Sequence, residues 1–585
     1  MSTEKRRPVD PVTVEIVRNG LIAVTEEMKT NLMRTAYNLI VYEALDFTVG
    51  LFTAEGDTIS IGLGLPMFIR GMAETVKAKI KHFGKDGIHP GDILITNDGY
   101  ITGSHLNHVT LTMPYFHSGK LVAFGCCMAH WLDIGGARGI VTTDIYSEGL
   151  QIPMLKYRRA GVVSQDIVDI IRINCRLPDF AMGDLRAQVT ALTTGERRFL
   201  ELVERYGAED VADSVAAIMD QTEAEARANT LSIPDGTYEA ESFMDDDGLD
   251  VGNRVKLRVK VIVTGDRMTI DLSEVASQVR GFFNSGPATG IACAQVAYKC
   301  LTTPTFYPLN EGSFRSLDII CPPGKVISAV RPAPLQNWMS FPQTVIDTVF
   351  KALAPAIPER TIAGHHADLV IGQVQGISPE GNFFVTHLGP VGGGWGAKSS
   401  EDGVSVTVCI NDGDTHNTPS EQVEAKFPLL INHYSLRPDS GGAGKTRGGL
   451  GADYAVTALC PMMLNTRIER KFCPPWGLYG GGSGAGNSIE LRVDGKWTDN
   501  PSNAKLMAQR LKKGDGFMIR SGGGGGFADP KQRSAERVAH DVGEGYVSAA
   551  AAAENYGVVV DSITGKIDQA ATDRRRAAAS EREEP

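Results

Sequence analysis

Residues 103–136, GSHLNHVTLTMPYFHSGKLVAFGCCMAHWLDIGG, decide how this chain is read. Val109 to Phe116 (VTLTMPYF) and Leu121 to Met128 (LVAFGCCM) are apolar, partly β-branched runs separated by His117-Ser118-Gly119-Lys120. Two such runs around a short Gly-containing turn predict an antiparallel hairpin. Pro114, which cannot donate to a ladder, predicts an edge strand. The chain has 12 His, and four of them (His105, His108, His117 and His130) fall in this stretch. If Phe116 pairs with Leu121 in a regular ladder, His130 faces Asn107. His105 then lies on the face of His130, diagonally, at roughly 7–8 Å, which two imidazoles can bridge through one ion. His108 falls on the opposite face of a regular strand and joins the others only if the segment before Val109 is irregular. A one-residue change of register reverses every face.

A metal site of this kind needs a carboxylate. Asp46, in YEALDFTVGLF (42–52), opens an apolar strand, where an acid without a partner is costly to bury. Asp98 (TNDGY) and Asp133 (HWLDIGG) are near in sequence and are candidates to accept from the His ring N–H groups. The plain alternative is that these are surface-loop acids and strand-end histidines.

The chain has 585 residues, too many for one core, and its 42% apolar and 22% charged content is that of a globular protein. A net charge of −11 without a basic stripe argues against nucleic acid as a partner. The start, MSTEKRRPVDP, has no apolar core of a secretory signal, and no apolar run reaches the ~18 residues that span a bilayer. Nine Cys with no C-x-x-C pair are read as reduced structural thiols of a cytoplasmic protein.

Asp10-Pro11 predicts a helix start, followed by Ile16, Val17, Leu21, Val24, Met28 and Leu32 at helical spacing. Helices are predicted over 70–82, 164–173, 185–206 and 209–229. Ser232-Ile233-Pro234-Asp235-Gly236 ends this pattern, and RVKLRVKVIV (254–263) alternates as a half-exposed strand does. Helices at 287–300 and 341–354 are expected on that sheet. Gly-rich loops then recur to residue 530. The expected class is α+β and multidomain: a metal-binding N-terminal α/β part with mixed and antiparallel sheets (1–229), a central α+β domain (230–387), a β-rich Gly-loop domain (388–562) and a polar tail (563–585) that frays from Thr564.

SGGAGKT (440–446) imitates a phosphate-binding loop, but Asp439 stands where the motif needs Gly, and Arg447-Gly448-Gly449 opens no helix. It is expected to pack closely against another backbone. His365-His366-Ala367-Asp368 is expected to be a loop with a satisfied His. Asp245-Asp246-Asp247 lacks the Glu of a calcium loop and is expected to be a solvated turn.

Taken together, YEALDFTVGLF, NDGYITGSHLNHV (97–109), AHWLDIGG (129–136), GGGWGAKSSEDG (392–403), NTPSEQVE (417–424), RPDSGGAGKTRGGLG (437–451) and DVGEGYVS (541–548) resemble the hydantoinase B/oxoprolinase family over nearly the whole chain. That family includes B-type subunits of N-methylhydantoinase and caprolactamase and the metal-bearing subunits of acetone and acetophenone carboxylases. The resemblance implies that Asp46, His105, His108 and His130 hold one divalent metal. The family's usual pattern at 105–108 is H-x-x-D, and His108 departs from it. An Asp plus three His favours a borderline ion, with Zn, Fe and Mn as candidates.

The resemblance also implies a hetero-oligomer in which a hydantoinase A-type ATPase subunit uses ATP and this chain carries the metal. The expected activity is ATP-dependent hydrolysis of a cyclic amide, lactam or hydantoin-like. The partner would phosphorylate the amide oxygen, the metal would lower the pKa of a water, and Asp98 or Asp133 would take or relay its proton. ATP-dependent ketone carboxylation uses the same residues and is the alternative. A scaffold whose metal site has degenerated at His108 is the third.

Overall fold

The computed structural model describes residues 9–302, 308–413, 415–499, 504–561 and 564–580. Asp10 accepts from the Thr13 N–H at 3.2 Å, and Pro11 opens a helix that runs to Thr35. Val17, Leu21, Val24, Met28 and Leu32 are buried on it, whereas Ile16 is outside the stripe at 45% exposure.

Seven strands follow: β1 (Phe47–Thr53), β2 (Thr58–Gly62), β3 (Ile93–Thr96), β4 (His108–His117), β5 (Lys120–His130), β6 (Leu155–Arg159) and β7 (Val162–Val163). They form one sheet in the order β2-β1-β5-β4-β3-β6-β7. Every pair is antiparallel, so the mixed pairing expected in this part of the chain is not found here. Helices Pro11–Thr35 and Pro178–Tyr206 pack on one face and Phe68–Phe83 on the other. Cys126 accordingly points into one core and Cys127 into another. With both faces covered, the strands carry continuous apolar runs rather than clean alternation.

Pro114 does not mark an edge. β4 lies inside the sheet, but its ladder with β3 covers Thr110 to Thr112 only, so Pro114 sits beyond the end of that pairing.

The second sheet contains Gly236–Met244, Val255–Thr264, Arg267–Asp271 and Leu317–Ile320, with one parallel pair between the last two. Helices Pro287–Thr302 and Ser340–Leu353 pack on it. Helix Phe68–Phe83 packs on Pro287–Thr302, so one hydrophobic core runs across the expected break at 229/230.

The expected boundary at 387/388 needs correction. Hairpin Gly372–Ile377/Phe383–Leu388 pairs with Met462–Thr466, which pairs in turn with Gln509–Leu511. The C-terminal β unit therefore begins near Gly372, because a ladder crosses the proposed cut. A five-stranded sheet of Leu429–Leu436, Ala452–Ala458, Gly516–Arg520, Ser488–Val493 and Lys496–Asp499 completes it. The segment 564–580 is also more ordered than its polarity suggested. Gln569–Ser580 is a helix, and Arg576 donates to the carbonyls of Tyr556 (3.2 Å) and Arg533 (2.7 Å).

The glycine-rich loops cross one another backbone to backbone. Gly524 N–H donates to Gly449, Gly525 to Gly364 and Gly526 to Gly482, while Gly442 donates to Gly524 (2.8–2.9 Å). A Cβ at Gly524 would lie 1.9 Å from the Trp395 carbonyl oxygen, which only glycine avoids. Ser440–Thr446 belongs to this crossing.

A candidate metal centre at the end of the hairpin

Phe116 pairs with Leu121 as expected, but the ladder slips by one residue at the next step, where Tyr115 pairs with Ala123 and Val122 is the extra residue. This bulge re-phases the rest of the hairpin. His108, not Asn107, faces His130, and the two rings share a face. His105 arrives from the irregular segment before β4, where its carbonyl accepts from the His108 N–H at 3.2 Å. Ring centroids are 4.5 Å apart for His105–His108, 5.0 Å for His105–His130 and 5.1 Å for His108–His130. Phe68 packs edge-on against His108 at 4.5 Å.

Asp46, just ahead of β1, contacts His108 Nε2 at 3.0 Å. The strand pairing places it there, because the His130 N–H donates to the Asp46 carbonyl (3.1 Å) and Phe47 pairs with Ala129. Burial alone would raise the Asp46 carboxyl, but His108, with His130 and His387 behind it, outweighs that and holds it below the usual carboxylate range. Burial, reinforced by neighbouring imidazoles, holds His105 well below its ordinary value. Burial likewise takes His130 down to about 4, against the opposing pull of Asp46. His105 and His130 are therefore neutral at neutral pH, the form in which imidazole binds a metal.

The ring nitrogens His105 Nε2, His108 Nδ1 and His130 Nδ1 are buried with no hydrogen-bond partner. The other nitrogen of His105 meets the Gln336 carbonyl at 3.1 Å, which makes it the N–H and leaves Nε2 the lone pair. His108 is fixed in the same sense by Asp46. Among the described residues, no three His, Cys, Asp or Glu side chains already stand as a ready ligand set. Asp46 is engaged with His108, and the three rings meet at centroid distances rather than on one point. In chemistry the set fits a borderline divalent ion: orphaned lone pairs on neutral imidazoles beside an ionised carboxylate.

The cluster forms one wall of a cavity of about 110 Å³. Leu65, Trp338, Leu369 and Ile371 supply apolar surface, and Gln373, His387, Asp412, Asn465 and Arg467 supply polar groups. His387 ends a strand of the C-terminal unit, 6.0 Å from the His130 ring, and Gln373 Nε2 meets its Nε2 at 2.8 Å. Burial lifts Asp412 to about 7; the Cys409 thiol beside it (2.8 Å) opposes that lift and the Asp46 charge adds to it.

Asp98 and Asp133 are not brought to this cavity. Asp98 caps Gly99–Thr102 by accepting from the Tyr100 N–H (3.1 Å) and pairs with Arg331 at 2.9 Å. Asp133 is buried between Arg138 (2.6 Å) and Arg176 (2.8 Å), whose contacts outweigh burial and hold it below the usual range. Each has an arginine closer than any imidazole of the cluster, so neither accepts from a His ring as expected.

Sequence reading missed His387, Asp412 and Arg467. Each reaches the cavity from the C-terminal unit, more than 200 residues beyond the hairpin, and VTHLGP, NDGDT and NTRIERK carry no spacing that points there. The other polar clusters do not line this cavity. His365 is pinned by Asp347, with Nδ1 2.7 Å from Oδ1. Asp245–Asp247 is buried rather than solvated, its carboxylates accepting from backbone N–H groups of Gly248, Leu249, Asp250, Gly252, Gly281 and 471–473.

Comparison with known proteins agrees with this architecture. The family profile of Hydantoinase B/oxoprolinase matches residues 10–530. The caprolactamase subunit beta of Pseudomonas jessenii is 32% identical, with 97% of this chain and 99% of that one aligned. The crystal structure of ATP-dependent caprolactamase from Pseudomonas jessenii superposes with a TM-score of 0.91 at 30% identity, covering 98% of this chain and 100% of that one. The nucleotide-free structure of acetone carboxylase shares the fold, with a TM-score of 0.90 at 19% identity over 98% of this chain and 83% of the other. The matched profile and these alignments make the chain a member of the hydantoinase B/oxoprolinase family.

Proposed function

We propose that this chain is the metal-bearing subunit of an ATP-dependent cyclic amide hydrolase whose partner, an ATPase subunit of hydantoinase A type, activates the substrate. The observation that carries this reading is the trio of buried ring nitrogens without partners on His105, His108 and His130, facing a cavity beside Asp46. Likeness to a caprolactamase subunit along nearly the whole chain supports the substrate class.

His105, His108 and His130 would hold the ion, with Asp46 orienting His108 and presenting its second carboxylate oxygen, which has no partner among the described residues. A divalent ion there supplies Lewis acidity to an oxygen of the substrate or of water. The protein does the rest. Leu65, Trp338, Leu369 and Ile371 seat the methylene part of a ring and exclude bulk water. Asp412, poised near 7 with a buried Oδ1 that has no partner, is the group able to carry a proton to or from the ring nitrogen as its bond to carbon breaks. Asp98 and Asp133, held by arginines, take no part in that transfer.

Elemental analysis of the purified chain beside His130→Ala is the test. About one Zn, Fe or Mn per wild-type chain and less than about a tenth of that in the variant is the expected result; no stoichiometric metal in the wild type overturns the proposal. Lactam-dependent ATP hydrolysis by the reconstituted complex should then proceed without bicarbonate. A bicarbonate requirement with a ketone would assign carboxylation instead.

A further inference from the structure

We infer that Arg467 and Asn465 form an anchor for an oxyanion of the substrate, phosphoryl or carboxylate, held in the cavity that the histidine cluster lines. This rests on the reading that the cavity is the reaction site. Asn465 lies in strand Met462–Thr466 and Arg467 immediately follows it. Two residues apart in extended chain, they project to the same side, and both line the cavity.

Arg467 makes no hydrogen bond or salt bridge among the described residues; its guanidinium lies over the Phe282 ring, 5.4 Å from the centroid. The acid that acts on it most, Glu148, is already committed. Glu148 accepts from Thr142 Oγ1 (2.7 Å) and from the N–H groups of Leu335 (3.0 Å) and Gln336 (2.9 Å). Arg138, the other cation near it, is paired with Asp133. Burial lowers Arg467 only to about 10, so it stays charged at neutral pH.

Asn465 repeats the pattern independently. Its Oδ1 accepts from the Ala508 N–H at 2.8 Å, which fixes the amide and leaves Nδ2 as a buried donor without an acceptor. A guanidinium fork and a fixed amide N–H, both short of acceptors and both facing one cavity, match the oxygens of a phosphate or carboxylate. Arg467 is half-buried and Asn465 is buried, so both donors gain from an acceptor in the cavity. A phosphoryl group placed on the amide oxygen by an ATPase partner would do so. So would a carboxylate carried by the ring substrate. In either case Arg467 binds the substrate directly.

The test is isothermal titration of the full chain with inorganic phosphate and, separately, with acetate. It compares wild type, Arg467→Met and Arg467→Lys, each as purified and after chelation, with circular dichroism melts to confirm folding. The expected result is phosphate binding that survives chelation, weakens at least tenfold in Arg467→Met and is partly kept in Arg467→Lys. The same pattern with acetate alone assigns the anchor to a carboxylate and supports it equally. No anion binding, or binding unchanged in Arg467→Met, overturns the inference. So does a signal that chelation abolishes and Arg467→Met leaves intact, since the metal then holds the anion. If elemental analysis finds no metal while Arg467-dependent binding persists, the metal reading fails and this one stands.

Discussion

His130 shows what one ring does to the pH dependence of the molecule. Its folded pKa, about 4, lies below the value of about 6.5 expected in the unfolded chain, so below that value the unfolded state binds more protons. The stability tied to a neutral His130 is therefore complete above about pH 6.5 and is lost as pH falls through 4. For a 2.5-unit depression the swing is roughly 3 kcal/mol. Asp412 and Glu148, each raised to about 7, run the other way and gain on acidification. The contribution of His130 is isolated by difference: between pH 7 and 4, metal-free wild type should lose about 3 kcal/mol more than metal-free His130→Gln in urea unfolding. Parallel pH profiles would refute that. At this scale the sequence was legible where residue type and spacing are local. H-x-x-H and a later His located the cluster, and Asp46 was found because an acid opening an apolar strand needs a partner. Asp98 and Asp133 misled because nearness in sequence says nothing of Arg331, Arg138 or Arg176.

Elements were legible where their periods are strong. The helices, the hairpin and its Phe116–Leu121 pair follow from pattern, whereas the slip at Val122 does not, since nothing in YFHSGKLVAF marks which residue bulges. That single residue decides whether His108 faces the cluster or the opposite core. The phosphate-loop imitation at 440–446 could be set aside from its own residues, and the crossing explains why glycines are there at all. Gly524→Ala tests that role. With Cβ placed 1.9 Å from a backbone oxygen, backbone must move, and a loss above about 3 kcal/mol or outright misfolding of the C-terminal unit is expected, read by thermal melting and limited proteolysis. A melting temperature within 2–3 °C of wild type would show that the crossing yields cheaply.

Across the whole molecule, the unit breaks were the least legible, because cores and ladders ignore composition shifts. One core crosses 229/230 and one sheet crosses 387/388. The cavity itself is walled from Ile40 to Arg467 and exists only when the units are assembled. A buried ionic group helps hold them: Lys505 Nζ lies 2.5 Å from Glu469 and 3.3 Å from Asp246, and Glu469 accepts from the Asp245 N–H at 2.9 Å. Lys505→Met leaves those acids buried without their cation and should cost about 3–5 kcal/mol in urea unfolding, with metal content falling as the far wall loosens. Wild-type stability in that variant would show that the pair does not hold the units together.

The glycine segment 522–527 carries a last consequence. Its six consecutive N–H groups go to Asn487, Ala485, Gly449, Gly364, Gly482 and Thr446, and its carbonyls receive Gly394, Gly442, Ala397 and Leu478. No one of these bonds can open without loosening strands of chain that arrive from four directions. Breathing motions that fray an ordinary loop are therefore closed to it, and it comes apart only when the C-terminal unit does. The residue with the greatest conformational freedom in the unfolded chain is here, by accumulation, tied at every backbone N–H from 522 to 527.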